Sequence, residues 1–72
     1  MSRAERAAAL WTAHRFTVRA TASFQAGFLR VADYYANRAR SILRPLGCRW
    51  SMNLWQRTGW VLVRCDLWIS PR

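Results

Sequence analysis

One stretch of this chain carries a hydrophobic period that suits a helix and little else. Phe24, Phe28, Val31, Ala32, Tyr35, Ala39, Ile42 and Leu43 recur mainly at steps of three and four, which gathers them into one apolar stripe. Arg30, Asp33, Asn37, Arg40 and Arg44 fall elsewhere on the wheel. Ser23 precedes the pattern as an N-cap residue, able to bond the first free N–H groups. Arg38, Arg40 and Arg44 suit the negative end of the helix dipole, and Pro45 followed by Gly47 ends the element. The spacing therefore predicts a long amphipathic helix over 24–44.

Such a stripe must be covered by the rest of a 72-residue chain. A domain this short buries only about 60% of its unfolded surface. It has no room for a cleft between domains or for a dinucleotide-binding fold. The chain reads as one small domain over 1–72, in which residues 1–14 form a helical arm that can stand apart.

That arm begins with Ser2-Arg3-Ala4-Glu5, a capping box in which Ser2 and Glu5 satisfy each other's backbone N–H. A helix follows from about Arg3 to Ala13, with a thin apolar face of Ala4, Ala7, Ala8 and Trp11. Beyond it, Phe16, Val18, Ala20, Ala22 and Phe24 alternate with Arg15, Thr17, Arg19, Thr21, Ser23 and Gln25. Strict alternation with Thr, Val and Phe favours a short strand over 15–23. The alanine content and the absence of flanking Gly or Pro favour a continued helix, so both readings stand, with the strand preferred.

The C-terminal segment reads as an antiparallel β-hairpin, 48–55 paired with 60–69, around a Gln56-Arg57-Thr58-Gly59 loop. That register puts Cys48, Trp50, Met52 and Leu54 on one face with Val61, Val63, Cys65, Leu67 and Ile69. The face is wholly apolar, and a slip of one residue would destroy it. Arg49 then pairs with Asp66, and Trp55 with Trp60. The expected fold class is α+β, with the hairpin packed on the 24–44 helix.

All twelve basic residues are Arg; with three acids the net charge is +9. At 53% hydrophobic the chain is too apolar for a disordered basic tail. On the second hairpin face Trp55, Trp60 and Trp68 adjoin Arg49 and Arg64, with Arg57 at the loop; a strand over 15–23 adds Arg15 and Arg19. Arg binds phosphate in bidentate fashion and an exposed indole stacks on an unpaired base. The expected function is a small basic binding protein, an RNA-binding accessory component acting through Arg15, Arg19, Arg49, Arg57, Arg64, Trp55 and Trp60. Two alternatives stay open: an accessory subunit packed into a large complex, mitochondrial complexes included, and a small protein attached to a membrane surface without spanning it. The partners these readings name are RNA or another anionic polymer, protein subunits, or lipid, and no small-molecule substrate.

Catalysis has little to stand on. Glu5, Asp33, Asp66 and His14 are the only acids and histidine, and no Ser-His-Asp or Cys-His spacing is legible. The expectation is a non-enzyme with no cofactor. Cys48 and Cys65 with one His are too few for a zinc site, and the two thiols read as small buried hydrophobes. The basic start is not followed by an uninterrupted apolar run, and the Leu10 to Leu29 window is broken by His14, Arg15 and Arg19. Neither a secretory signal nor a membrane span is expected. The Arg, Ala, Ser and Thr of the N-terminal third match organellar transit peptides in composition. The expected location is intracellular, cytoplasmic or mitochondrial.

Gly59-Trp60-Val61-Leu62-Val63-Arg64 resembles the first strand of HicA-type messenger-RNA-cleaving toxins. In that family the strand leads into a Gly-Ser-His-His segment that holds the catalytic His. Here Cys65-Asp66-Leu67-Trp68 follows and no His lies downstream. The likeness covers six residues of 72 and implies a strand without the activity, so the chain is not placed in that family.

Overall fold

The computed structural model describes residues 2–46 and 52–69. Among them the chain forms three helices, α1 (Arg3–Gln25), α2 (Leu29–Leu43) and α3 (Met52–Ile69), and no strand. The fold is all-α, a three-helix bundle, and the expected α+β class is corrected on both of its β elements.

The capping box forms as its sequence predicts. The Glu5 N–H donates to Ser2 Oγ at 3.1 Å, and the Ser2 N–H donates to Glu5 Oε1 at 3.3 Å. The helix does not stop at Ala13, and the strand over 15–23 does not exist. The strand-like threonines satisfy themselves within the helix instead. Thr12, Thr17 and Thr21 each donate to the carbonyl four residues back, at 3.0, 2.8 and 3.0 Å, so their hydroxyls need no ladder partner. The face that α1 buries is Ala13, Thr17 and Ala20, with Phe24 half-buried beyond them. Those steps of four, three and four are helical, whereas Val18 of the alternating set is exposed.

Gly27 breaks the chain two residues after α1. Its φ of 87° is left-handed, a region that suits glycine. The Gly27 N–H donates to the Phe24 carbonyl at 3.1 Å and the Phe28 N–H to the Ser23 carbonyl at 2.9 Å, the paired bonds of a Schellman turn. Ser23 is therefore not an N-cap: it lies inside the last turn of α1. The second helix starts at Leu29 with Phe28 at its N-cap, and no side chain caps it. Its buried stripe is Ala32, Ala36, Ala39 and Leu43, while Phe28 and Val31 stay outside.

Where the hairpin was expected, α3 runs without interruption through Gly59. Thr58, Val61 and Cys65 are buried along it and Leu54, Trp55 and Leu62 half-buried, again at helical steps. The pairing partners at 48–51 lie outside the described residues. A hairpin would cover one helix with one face. The helix instead reaches two at once, because Val61 and Cys65 join Ala20 of α1 and Ala32 and Ala36 of α2 in one buried cluster. A second cluster joins Ala13, Leu43 and Leu46, flanked by Ala9, Leu10, Ile42, Leu54 and Trp55. Alanine on α1 and α2 allows the axes to approach closely.

Candidate functional site

The Arg and aromatic residues do not form one platform. Among the described residues, one group lies along the α1–α2 seam, a second between α1 and α3, and Trp55 with Arg40 is turned inward.

The seam between α1 and α2 carries the first group. Arg15, Phe16 and Arg19 follow one another on α1 with Thr12 one turn earlier, and the four line a shallow depression. From α2, Arg38 reaches back over the Phe16 ring, its Cζ 6.0 Å from the centroid. Phe16 stacks on Tyr35 at 5.8 Å and 28°, and Arg19 lies 5.9 Å from the Tyr35 centroid. Tyr34 meets Tyr35 edge to face at 5.5 Å and is itself 57% exposed. The order along the seam is thus Arg38, Phe16, Tyr35, Arg19, with cations at both ends of two stacked rings. Such contacts orient a guanidinium over a π face while its N–H edge stays free to bond outward.

Glu5 and Asp33 stand away from this seam. Glu5 is engaged in the N-terminal cap, about 15 Å along α1 from Arg15. Asp33 accepts from the Asn37 amide at 3.3 Å and lies close enough to Cys65 to raise its pKa, which puts it on the α3 side of α2. Arg15, Arg19 and Arg38 are all exposed. Three cations, Tyr34 and Val31 therefore face outward around Tyr35, which is half-buried against the core.

The second group lies between α1 and α3. Trp60 packs edge-on against Phe24, with centroids 5.5 Å apart, and Arg64 covers the Trp60 ring at 4.8 Å. Arg57 lines a groove with Thr17, Val18, Thr21, Ala22 and Gln25 of α1.

Trp55 belongs to neither side. Arg40 of α2 lies 3.9 Å above its ring and donates to its carbonyl at 3.3 Å. Arg40 Nε also donates to Thr58 Oγ1 at 3.1 Å. Burial first, and then the nearby charge of Arg44, lowers the Arg40 pKa.

Of the expected site residues, the fold brings Arg15 and Arg19 together on one face. It sends Arg57, Arg64 and Trp60 to another and turns Trp55 inward. Arg49 lies outside the described residues. Trp55 and Trp60 are not a cross-strand pair: they stand five residues apart on one helix, about 140° apart around it. The stacking platform for RNA depended on the hairpin and falls with it. The accessory-subunit reading finds no support among the described residues either. Sequence reasoning missed Arg38, Tyr34 and Tyr35 as site residues. The available signal was the Tyr35-to-Arg38 step of three, which places both on one side of a helix.

No family model, curated protein or solved structure matches this chain.

Proposed function

We propose that this chain is a non-enzymatic protein that lies on an anionic membrane surface, with the α1–α2 face toward the lipid. The observation that carries this reading is the seam itself. Arg15, Arg19 and Arg38 stand exposed with Tyr34 and Val31 around the half-buried ring of Tyr35, and Glu5 and Asp33 are held elsewhere. Tyrosine rings settle at the level of lipid headgroups, apolar body inward and hydroxyl outward. Arginine beside them reaches the phosphates in bidentate fashion. An Arg near an anionic leaflet contributes about 1 kcal/mol, so three acting together amount to about a hundredfold in partition. Among the described residues no helix is long and apolar enough to cross a membrane, which is compatible with attachment along the surface.

Vesicle flotation tests the reading. The protein should rise with phosphatidylcholine vesicles that contain phosphatidylglycerol and stay behind with phosphatidylcholine alone. Salt should release it. Replacing Arg15, Arg19 and Arg38 together by Gln should lower the partition about a hundredfold with an unchanged helical circular-dichroism spectrum. A chain that ignores vesicle charge, or remains in solution with both compositions, is not a membrane-surface protein of this kind.

A further inference from the structure

We propose that the turn between α1 and α2 is the part of the chain that enters the bilayer, with Phe28 as the inserted side chain. This rests on the membrane reading above and adds to it the point and depth of contact.

The turn is built to hold its shape. Two backbone bonds close it, from Gly27 to Phe24 at 3.1 Å and from Phe28 to Ser23 at 2.9 Å. A third, from the Ala32 N–H to the Phe28 carbonyl at 2.9 Å, begins α2. Phe28 occupies the position after the left-handed glycine. In this motif an apolar residue there usually folds back onto one in the last turn of the preceding helix. The positions it would meet are Ser23 and Ala22, a hydroxyl and a methyl that offer a phenyl ring little apolar cover. Phe28 stays 63% exposed as a result. A rigid turn thus holds an aromatic ring in water without covering it.

The neighbours of Phe28 extend the same chemistry. Leu29 is half-buried, Val31 is 44% exposed and Arg30 is exposed, so the tip joins apolar bulk to a cation. Val31 also precedes Tyr35 and Arg38 by four and seven residues, which aligns the three on one side of α2. The tip is therefore the end of the cationic seam and continuous with it. An anionic lipid surface matches both parts: its phosphates suit the arginines and its acyl chains suit Phe28, Leu29 and Val31. Met52 is also exposed, but it opens α3, close in sequence to Leu54 and Trp55 of the second cluster, which packs on Leu43 and Leu46. That places it near the C-terminal end of α2, which runs about 20 Å away from the turn. It serves as the control.

Vesicle sedimentation on the full chain and single variants decides the matter. With phosphatidylglycerol-containing vesicles, Phe28→Ser should bind about tenfold more weakly than the parent, and Val31→Ser should fall in the same direction. Phe28→Trp should keep the affinity, because indole suits the interface. Met52→Ser should change it by less than about twofold. Circular dichroism on each variant confirms that the helices remain. If the parent binds and Phe28→Ser and Val31→Ser bind equally well, the insertion point is overturned while surface attachment stands. Equal losses in Phe28→Ser and Met52→Ser overturn it as well. A parent that does not bind at all overturns the membrane reading itself.

Discussion

Gly59 of α3 sits where Arg40 of α2 crosses it, so close that a Cβ on Gly59 would fall 2.6 Å from Arg40 Nη2. The guanidinium has little freedom to withdraw. It is held by Thr58 Oγ1 at 3.1 Å and the Trp55 carbonyl at 3.3 Å, and it lies 3.9 Å above the Trp55 ring. Thr58 in turn donates to the same carbonyl at 2.8 Å. A glycine in mid-helix sacrifices about 1 kcal/mol of helix propensity; here it admits a charged side chain that ties α2 to α3.

Gly59→Ala should therefore destabilise the bundle by about 1 kcal/mol, because the lost charge-assisted bonds outweigh the gain in propensity. In an Arg40→Ala background the same substitution should stabilise by about 1 kcal/mol. Urea denaturation of the two single variants and the double variant measures the reversal. The same sign in both backgrounds would show that Arg40 and Gly59 are not coupled.

The alanine stripe should resist enlargement. Ala36 is fully buried at the centre of a cluster that contains Ala20, Ala32, Val61 and Cys65. Ala36→Leu adds bulk where the helices meet and should cost about 1–3 kcal/mol. Ala7→Leu on the exposed first turns of α1 should stay within about 0.5 kcal/mol of the parent. Thermal unfolding of both variants provides the comparison.

The small size of those core residues also limited what the sequence revealed. The N-terminal cap was legible because a capping box is a local device of two side chains, Ser2 and Glu5. The helix before Pro45 was legible because Tyr35, Ala39, Ile42 and Leu43 repeat at its period. In α1 the burying residues are Ala13, Thr17 and Ala20, too small to outweigh the larger Phe16 and Val18 of a competing alternation. Gly27 was the missing stop signal, two residues beyond Gln25. In α3 the alternation of Met52, Leu54, Val61, Val63 and Cys65 fits a hairpin face as long as only local pairing is considered. The groove lined by Ala20, Ala32 and Ala36 is a tertiary feature, and it favours the helical stripe of Thr58, Val61 and Cys65. Gly59 looks like a turn residue within its own segment because its partner, Arg40, lies on another helix. Of the site, Arg15 and Arg19 were visible on their own segment. Their union with Arg38 depends on how α2 packs back, which no local pattern encodes.

The cap at Ser2 has a local and a measurable effect. Residues 3–8 are exposed, so the first turns of α1 gain little from packing and depend on the cap. Ser2→Ala should cost that end of the helix about 1 kcal/mol. Amide hydrogen exchange should quicken at the first turns of α1 and remain unchanged around Ala20 and Ala36. Uniform acceleration across the bundle would show instead that the cap stabilises the whole fold.

Cys65 gives the bundle a dependence on alkaline pH. Burial, and after it the negative charge of Asp33, raises the thiol pKa above its ordinary value of 9.0. Below pH 9.0 the thiol stays protonated in both states, and its contribution to stability is fully present. As the pH rises past that value the unfolded chain releases the proton first, so stability falls until the folded pKa is reached. Cys65→Ala removes this loss, and the difference between parent and variant in urea denaturation across the alkaline range isolates the thiol. The same burial should slow thiol-directed reagents: in a Cys48→Ser background, Cys65 should react with a disulfide reagent much more slowly in the folded protein than in denaturant. Equal rates in the two conditions would place the sulfur in water and contradict the packing of α3 against Ala20, Ala32 and Ala36.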